Sequence, residues 1–151
     1  MTNNILYSFL SLFALFGKEE QVDKAWAKAM LSNYLRRHFG IKNIDVYLDL
    51  YTDMRDLYEL SFDTDIKDTI NDICSNLNGQ ISSKEEALLL LRLMEFCSDD
   101  GKISDSMFKI IAENYQIPDE QYQDFTDFVT NHEPKHVLLH KLDDTDGWLK
   151  R

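Results

Sequence analysis

The sequence predicts an all-α protein, a bundle of about seven helices followed by a short irregular C-terminal arm. Three observations point to helices. Five Gly and two Pro in 151 residues are too few for a many-stranded sandwich or barrel, which needs frequent turn residues. Apolar residues recur with a period near 3.6 through most of the chain, and no run alternates well enough to build a sheet. The glycines fall as punctuation: Gly17, Gly40, Gly79 and Gly101 each stand just beyond an apolar helical pattern, where a helix end favours a residue tolerant of positive φ.

The first helix is the apolar run Ile5 to Phe16. A signal peptide would carry a basic leader and a small-residue cleavage site, but Met1-Thr2-Asn3-Asn4 is uncharged and Lys18-Glu19-Glu20 follows. Twelve helical residues also span only about 18 Å, short of a roughly 30 Å hydrocarbon core. The run therefore reads as a buried core helix. Trp26, Met30 and Tyr34, with Leu31, Leu35 and Phe39, predict a second helix from about 23 to 39. Tyr47, Leu50, Tyr51, Met54, Leu57 and Tyr58 form the stripe of a third, with Asn43 as its cap.

A fourth stripe, Ile66, Ile70, Ile73 and Leu77, follows Asp63 as a cap. Ser82-Ser83-Lys84-Glu85 reads as a capping box, in which a hydroxyl accepts one free amide and Glu85 reaches back. The run behind it, Ala87 to Leu91, Leu93, Met94, Phe96 and Cys97, is apolar on most sides, so this fifth helix is expected at the centre. Ser104 caps a sixth helix with Met107, Phe108, Ile110, Ile111 and Tyr115. The seventh opens near Pro118-Asp119 and carries Tyr122, Phe125, Phe128 and Val129. Residues 1–131 are expected to form one domain, and residues 132–151 a tail or connector.

Sliding the chain against itself by 81 positions produces an internal match. Leu10, Leu12, Phe13 and Phe16 meet Leu91, Leu93, Met94 and Cys97; beyond the loop, Trp26, Met30 and Tyr34 meet Met107, Ile111 and Tyr115. After a short deletion, Tyr47, Leu50 and Tyr51 meet Phe125, Phe128 and Val129. The register predicts a duplicated helical hairpin, about 5–58 and 87–131, packed about a pseudo-twofold with the Phe13 and Leu93 helices at its centre.

The second copy carries a resemblance. Leu90-Leu91-x-Leu93-Met94-x-Phe96-Cys97-x-Asp99-Asp100-Gly101-Lys102-Ile103-Ser104, an amphipathic helix, and then Ile117-Pro118-Asp119-Glu120 resemble a TerB-like domain. In that family an apolar helix runs into a short Asp-Gly loop and a second helix, and the unit is duplicated in an all-helical bundle. The first copy keeps the hydrophobic frame but has Glu19-Glu20 where the family has Asp-Gly. The stretch Leu31–Tyr51, with its run Tyr34 to Ile41, is similar to TerB-like copies attached to DnaJ-type co-chaperones, and the layout is similar to the TerB-like segment that precedes ABC-type ATPases in some bacterial membrane proteins. The resemblance covers roughly residues 5–131. It implies an accessory module of a larger protein or of a stress system such as tellurite resistance.

With 16 basic and 27 acidic residues the net charge is −11, which argues against nucleic acid and anionic membrane as partners. The basic knot Arg36-Arg37-His38 reads as a solvated helix end. Cys74 and Cys97 stand 23 residues apart, without CxxC spacing and within apolar stripes, so they read as structural thiols in a reducing cytoplasm.

Two groups invite a metal reading. Asp99-Asp100-Gly101-Lys102 fails as an EF-hand, because with Gly101 sixth the first and twelfth positions fall on Phe96 and Met107. Asp99 and Asp100 remain weak candidates, and the solvated turn is the plainer reading. His132, His136 and His140 have helical spacing, but Pro134 leaves only His136 and His140 able to pair on one helix. In the tail, Val137, Leu138, Leu139 and the isolated Trp148 are apolar residues in want of a partner. The chain lacks a P-loop and a His-Pro-Asp motif, and no catalytic constellation is evident.

The expectation is therefore a non-enzymatic interaction module with no catalytic or cofactor-binding residues and no cofactor. Its partner would be a protein: a domain of the same polypeptide, another subunit or a second copy, without direct membrane contact. The resemblance implies the N-terminal regulatory or docking domain of a larger bacterial ABC-type ATP-binding protein, cytoplasmic or the cytoplasmic part of a membrane-associated protein. The alternative is a stand-alone acidic metal-ion-binding protein of stress response.

Overall fold

The computed structural model describes residues 2–61, 65–98 and 104–131. Seven α-helices follow in order: α1 (Thr2–Glu19), α2 (Lys24–Phe39), α3 (Ile44–Glu59), α4 (Ile66–Leu77), α5 (Ser83–Cys97), α6 (Asp105–Asn114) and α7 (Asp119–Asn131). Among the described residues there is no strand, and no helix is long and apolar enough to cross a membrane.

A helix that is apolar on every side must be covered on every side. α1 and α5 meet that condition. Residues 8–17 of α1 and 87–94 of α5 are buried without a break. α3 and α4 pack on α1, α6 and α7 pack on α5, and α2 spans α3 and α5. α1 and α3 run antiparallel, since Ser11 Oγ lies 2.7 Å from Tyr58 Oη while Gly17, further along α1, faces Tyr51. The centre is aromatic: Phe13 stacks at 4.4 Å on Phe9 and edge-on at 4.9 Å against Phe96, with the Tyr34 ring at 5.7 Å. Tyr122 Oη donates to Asp105 at 2.7 Å, tying α7 to the start of α6.

The residues paired by the 81-position match are buried in both copies along α1 and α5. They part company in the next helix, where Trp26 is partly exposed and Met107 is buried. Trp26 sits at the border of its stripe, and its indole N–H reaches the Phe96 carbonyl at 2.9 Å.

Some helix ends match expectation and others depart from it. The capping box at Ser82 and Glu85 is present in both directions. Asn43 and Ser104 stand at N-caps but their side chains make no cap hydrogen bond. The α4 cap is Asp65, which accepts from the Asp68 amide, two residues beyond the expected Asp63, which lies outside the described residues. Leu57, placed on the third stripe, is 65 % exposed, because it falls on the flank of α3 away from α1. Gly40 does take the left-handed position after α2, at φ +63°. Gly101 and the tail, residues 132–151, lie outside the described residues.

Gly17 is the largest departure. It lies inside α1, not beyond it, and the left-handed position falls to Gln21 at φ +53°. There the Val22 amide returns to the Gly17 carbonyl and the Gln21 amide to the Lys18 carbonyl, a Schellman closure. Gln116 closes α6 with the same bonds and the same φ. Gly17 is needed for room: a Cβ there would intrude on Tyr51 Oη and sit 3.3 Å from an Arg55 guanidinium nitrogen. In an exposed helix, Gly to Ala would stabilise by up to about 1 kcal/mol. Here overpacking should reverse the sign, so Gly17→Ala is expected to cost about 1–3 kcal/mol in urea unfolding. A neutral or stabilising result would show that Tyr51 swings aside freely.

Candidate functional site

Apart from Glu85, which serves the capping box of α5, the ionic side chains taken inside the bundle are basic and form two groups. The first joins α2 to α5. His38, expected in a solvated helix end with Arg36 and Arg37, is only 2 % exposed. Arg36 and Arg37 are exposed, because the helix turns them away from α5. Arg92, inside the apolar run of α5, donates through Nε to His38 Nε2 at 3.1 Å and through Nη1 to Glu95 at 2.7 Å. Its guanidinium also lies 5.6 Å from the centre of the Tyr34 ring, whose hydroxyl reaches the Arg92 carbonyl and Glu95 at 3.3 Å.

Burial, with Arg92 and then Arg37 beside it, lowers the His38 pKa from 6.5 to about 3. The imidazole is therefore neutral and acts as an acceptor. Burial pushes the Tyr34 hydroxyl well above its ordinary range, reinforced by Glu95. The cluster is a set of fixed donors and acceptors. Neither His38 nor Tyr34 changes charge near neutral pH.

The second group joins α3 to the α1–α2 turn. The Arg55 Nη1 donates to the Val22 carbonyl at 2.9 Å and to Tyr51 Oη at 3.2 Å, holding that turn against Gly17. Its Nε makes no hydrogen bond and lies 3.8 Å from the Glu59 carboxylate at the surface. Sequence reasoning missed Arg55, Arg92 and His38. A signal existed for the arginines, since each stands at a position where the helical stripe calls for an apolar residue.

A cavity of about 510 Å³ opens where the end of α1 meets the starts of α4 and α6, and its walls include Glu19, Glu20, Asp65, Lys67 and Ser104. Among the described residues no three His, Cys, Asp or Glu side chains gather closely enough to hold a metal ion. The weak candidates Asp99, Asp100, His136 and His140 lie outside the described residues, as do Val137, Leu139 and Trp148. Cys74 and Cys97 are free and buried, and burial holds the Cys74 thiol up at about 11, so it is protonated at neutral pH.

Fold and side chains together define an all-helical bundle with internal polar ties between its helices. No family model, curated protein or solved structure matches the chain.

Proposed function

We propose that this chain is a non-enzymatic TerB-like interaction module, built from a duplicated helical hairpin. In this reading it is the N-terminal regulatory or docking domain of a larger bacterial ABC-type ATP-binding protein. The observation that carries the docking role is an apolar end. Tyr7, Leu57 and Leu60 are 57 %, 65 % and 72 % exposed on a bundle that shelters most other large apolar side chains. The antiparallel register set by Ser11 and Tyr58 brings the start of α1 and the close of α3 to the same end. Apolar side chains grouped at an end suit contact with a neighbouring domain.

The test is ATP hydrolysis by the full-length gene product. Leu57→Asp with Leu60→Asp should change the turnover rate at saturating ATP while the KM for ATP is retained. Absence of an ATP-binding domain from that polypeptide, or a rate unaltered by both the variant and deletion of residues 1–131, would overturn the assignment.

The second reading, a stand-alone metal-ion-binding stress protein, rests on the Asp99-Asp100 pair of the sequence; Glu19, Glu20 and Asp65 around the cavity do not gather closely enough to hold a metal ion. Occupation at 100 times the dissociation constant would stabilise the fold by about 2.7 kcal/mol. Titration with calcium or zinc is expected to move the melting temperature far less than that. A full shift, abolished by Asp99→Asn with Asp100→Asn, would favour the second reading over the first.

A further inference from the structure

Charge is segregated on two consecutive helices. Of the 27 acidic residues in the chain, none falls between positions 24 and 42, which hold Lys24, Lys28, Arg36, Arg37 and Lys42. All five cations are exposed. Among the described residues Lys24, Lys28, Arg36 and Lys42 form no ion pair. On the outward face of α2 between them Ala25 and Ala29 are exposed, with Trp26 and Met30 at its edge.

α3 carries the opposite pattern. Asp45, Asp49, Asp53 and Asp56 follow i, i+4, i+8 and i+11 along its outward face, and all four are exposed. Its lone arginine, Arg55, is turned inward. The exposed apolar side chains Val46 and Leu57 flank the acidic row. Lys24 to Arg36 spans about 18 Å along α2 while turning about 120° around it, and Asp45 to Asp56 spans about 17 Å, so the basic face is as long as the acidic row and broader.

We propose that the basic outward face of α2 docks on the acidic outward face of α3 in a second copy of this chain. The inference deepens the interaction-module reading and rests on it only in taking a helical face as the working surface. α2 and α3 are consecutive and packed on each other, so a twofold axis between two copies sets each α2 on the other copy's α3. The same patch then serves both partners, and each contact opposes cations to carboxylates. Alanines on α2 let the helices approach, and Trp26 and Met30 meet Val46 at the margin. The net charge of −11 on each copy opposes association, but at about 0.15 M ionic strength screening over about 8 Å weakens that repulsion more than it weakens groups in contact. An acidic segment of another protein is the competing occupant. The acidic row of this chain is favoured because it matches the basic row in length and sign and carries apolar flanks of its own.

Sedimentation velocity over a concentration series tests the proposal. The wild type is expected to form dimers at about 0.15 M salt and to dissociate at about 1 M, where screening shortens to about 3 Å. Lys28→Glu with Arg36→Glu should weaken the dimer at least about tenfold, near 1.4 kcal/mol, and Asp49→Lys with Asp53→Lys should do the same. Mixing the two variants should restore a heterodimer, because the acidified α2 then faces the basified α3 and the unaltered faces also match. All four positions are exposed, and retained helical circular dichroism in each variant excludes loss of folding as the cause. A monomeric wild type, a dimer that survives in both variants, or a mixture that stays monomeric would overturn self-docking. So would a monomer that binds poly-L-glutamate through Lys28 and Arg36, which would assign the face to a foreign acidic partner. A monomer would leave docking to an ATP-binding domain untouched.

Discussion

Phe13→Ala should lower the unfolding free energy by about 3–5 kcal/mol, from the transfer and cavity terms for a large buried ring. Phe13 has no exposed surface and touches α1, α2 and α5 at once, through Phe9, Tyr34 and Phe96. Each well-placed aromatic pair adds about 0.5–1.5 kcal/mol beyond area burial, which moves the expectation to the upper half of that range. A small domain is stable by only about 5–15 kcal/mol, so the variant should unfold at markedly lower urea with the slope of the transition retained. Leu57→Ala, on the exposed flank of α3, should change stability by about 0.5 kcal/mol or less. Equal effects at the two positions would show that α1 is not central.

The second large effect is a pH dependence set by His38. Its pKa is about 3 in the folded bundle against 6.5 as the ordinary value, so the unfolded chain binds the proton first as pH falls. The stability this group contributes is full above about pH 6.5 and is lost progressively down to about pH 3, at about 1.4 kcal/mol per unit. Between pH 7.5 and pH 5 the loss from His38 alone is about 2 kcal/mol. His38→Gln keeps an acceptor for Arg92 and removes the titration. The variant should therefore lose about 2 kcal/mol less than the wild type over that interval, read by urea unfolding at the two pH values. The same loss in both proteins would exclude His38 as the titrating group.

How much was legible depends on the distance over which each feature is decided. The Ser82–Glu85 capping box involves residues three apart, and it forms as read. The apolar runs around Phe13 and Leu93 identify two helices that must be covered on every side, and these are the two at the centre. Gly17 was misassigned because a glycine after an apolar run has two uses, ending a helix or admitting a close neighbour. The neighbours that decide between them, Tyr51 and Arg55, lie more than thirty positions away in sequence. His38 was misassigned for the same reason: Arg36-Arg37-His38 is a basic run along the chain, but a helix turns its third member inward. The charge rows of α2 and α3 were present in the spacing, and became surfaces only once α1 and α5 had claimed the other sides of those helices.

The sequence by itself determined the helical class, the order of the seven helices and the two that lie innermost. Those follow from backbone propensity and from a period of about 3.6 residues, both of which act within a few turns of chain. Only the tertiary structure decided that Arg92 meets His38, that Arg55 clamps the α1–α2 turn, and that Leu57 and Leu60 stay outside. A buried charge is tolerated only where partners converge on it from other helices, and that convergence exists only once the helices have packed.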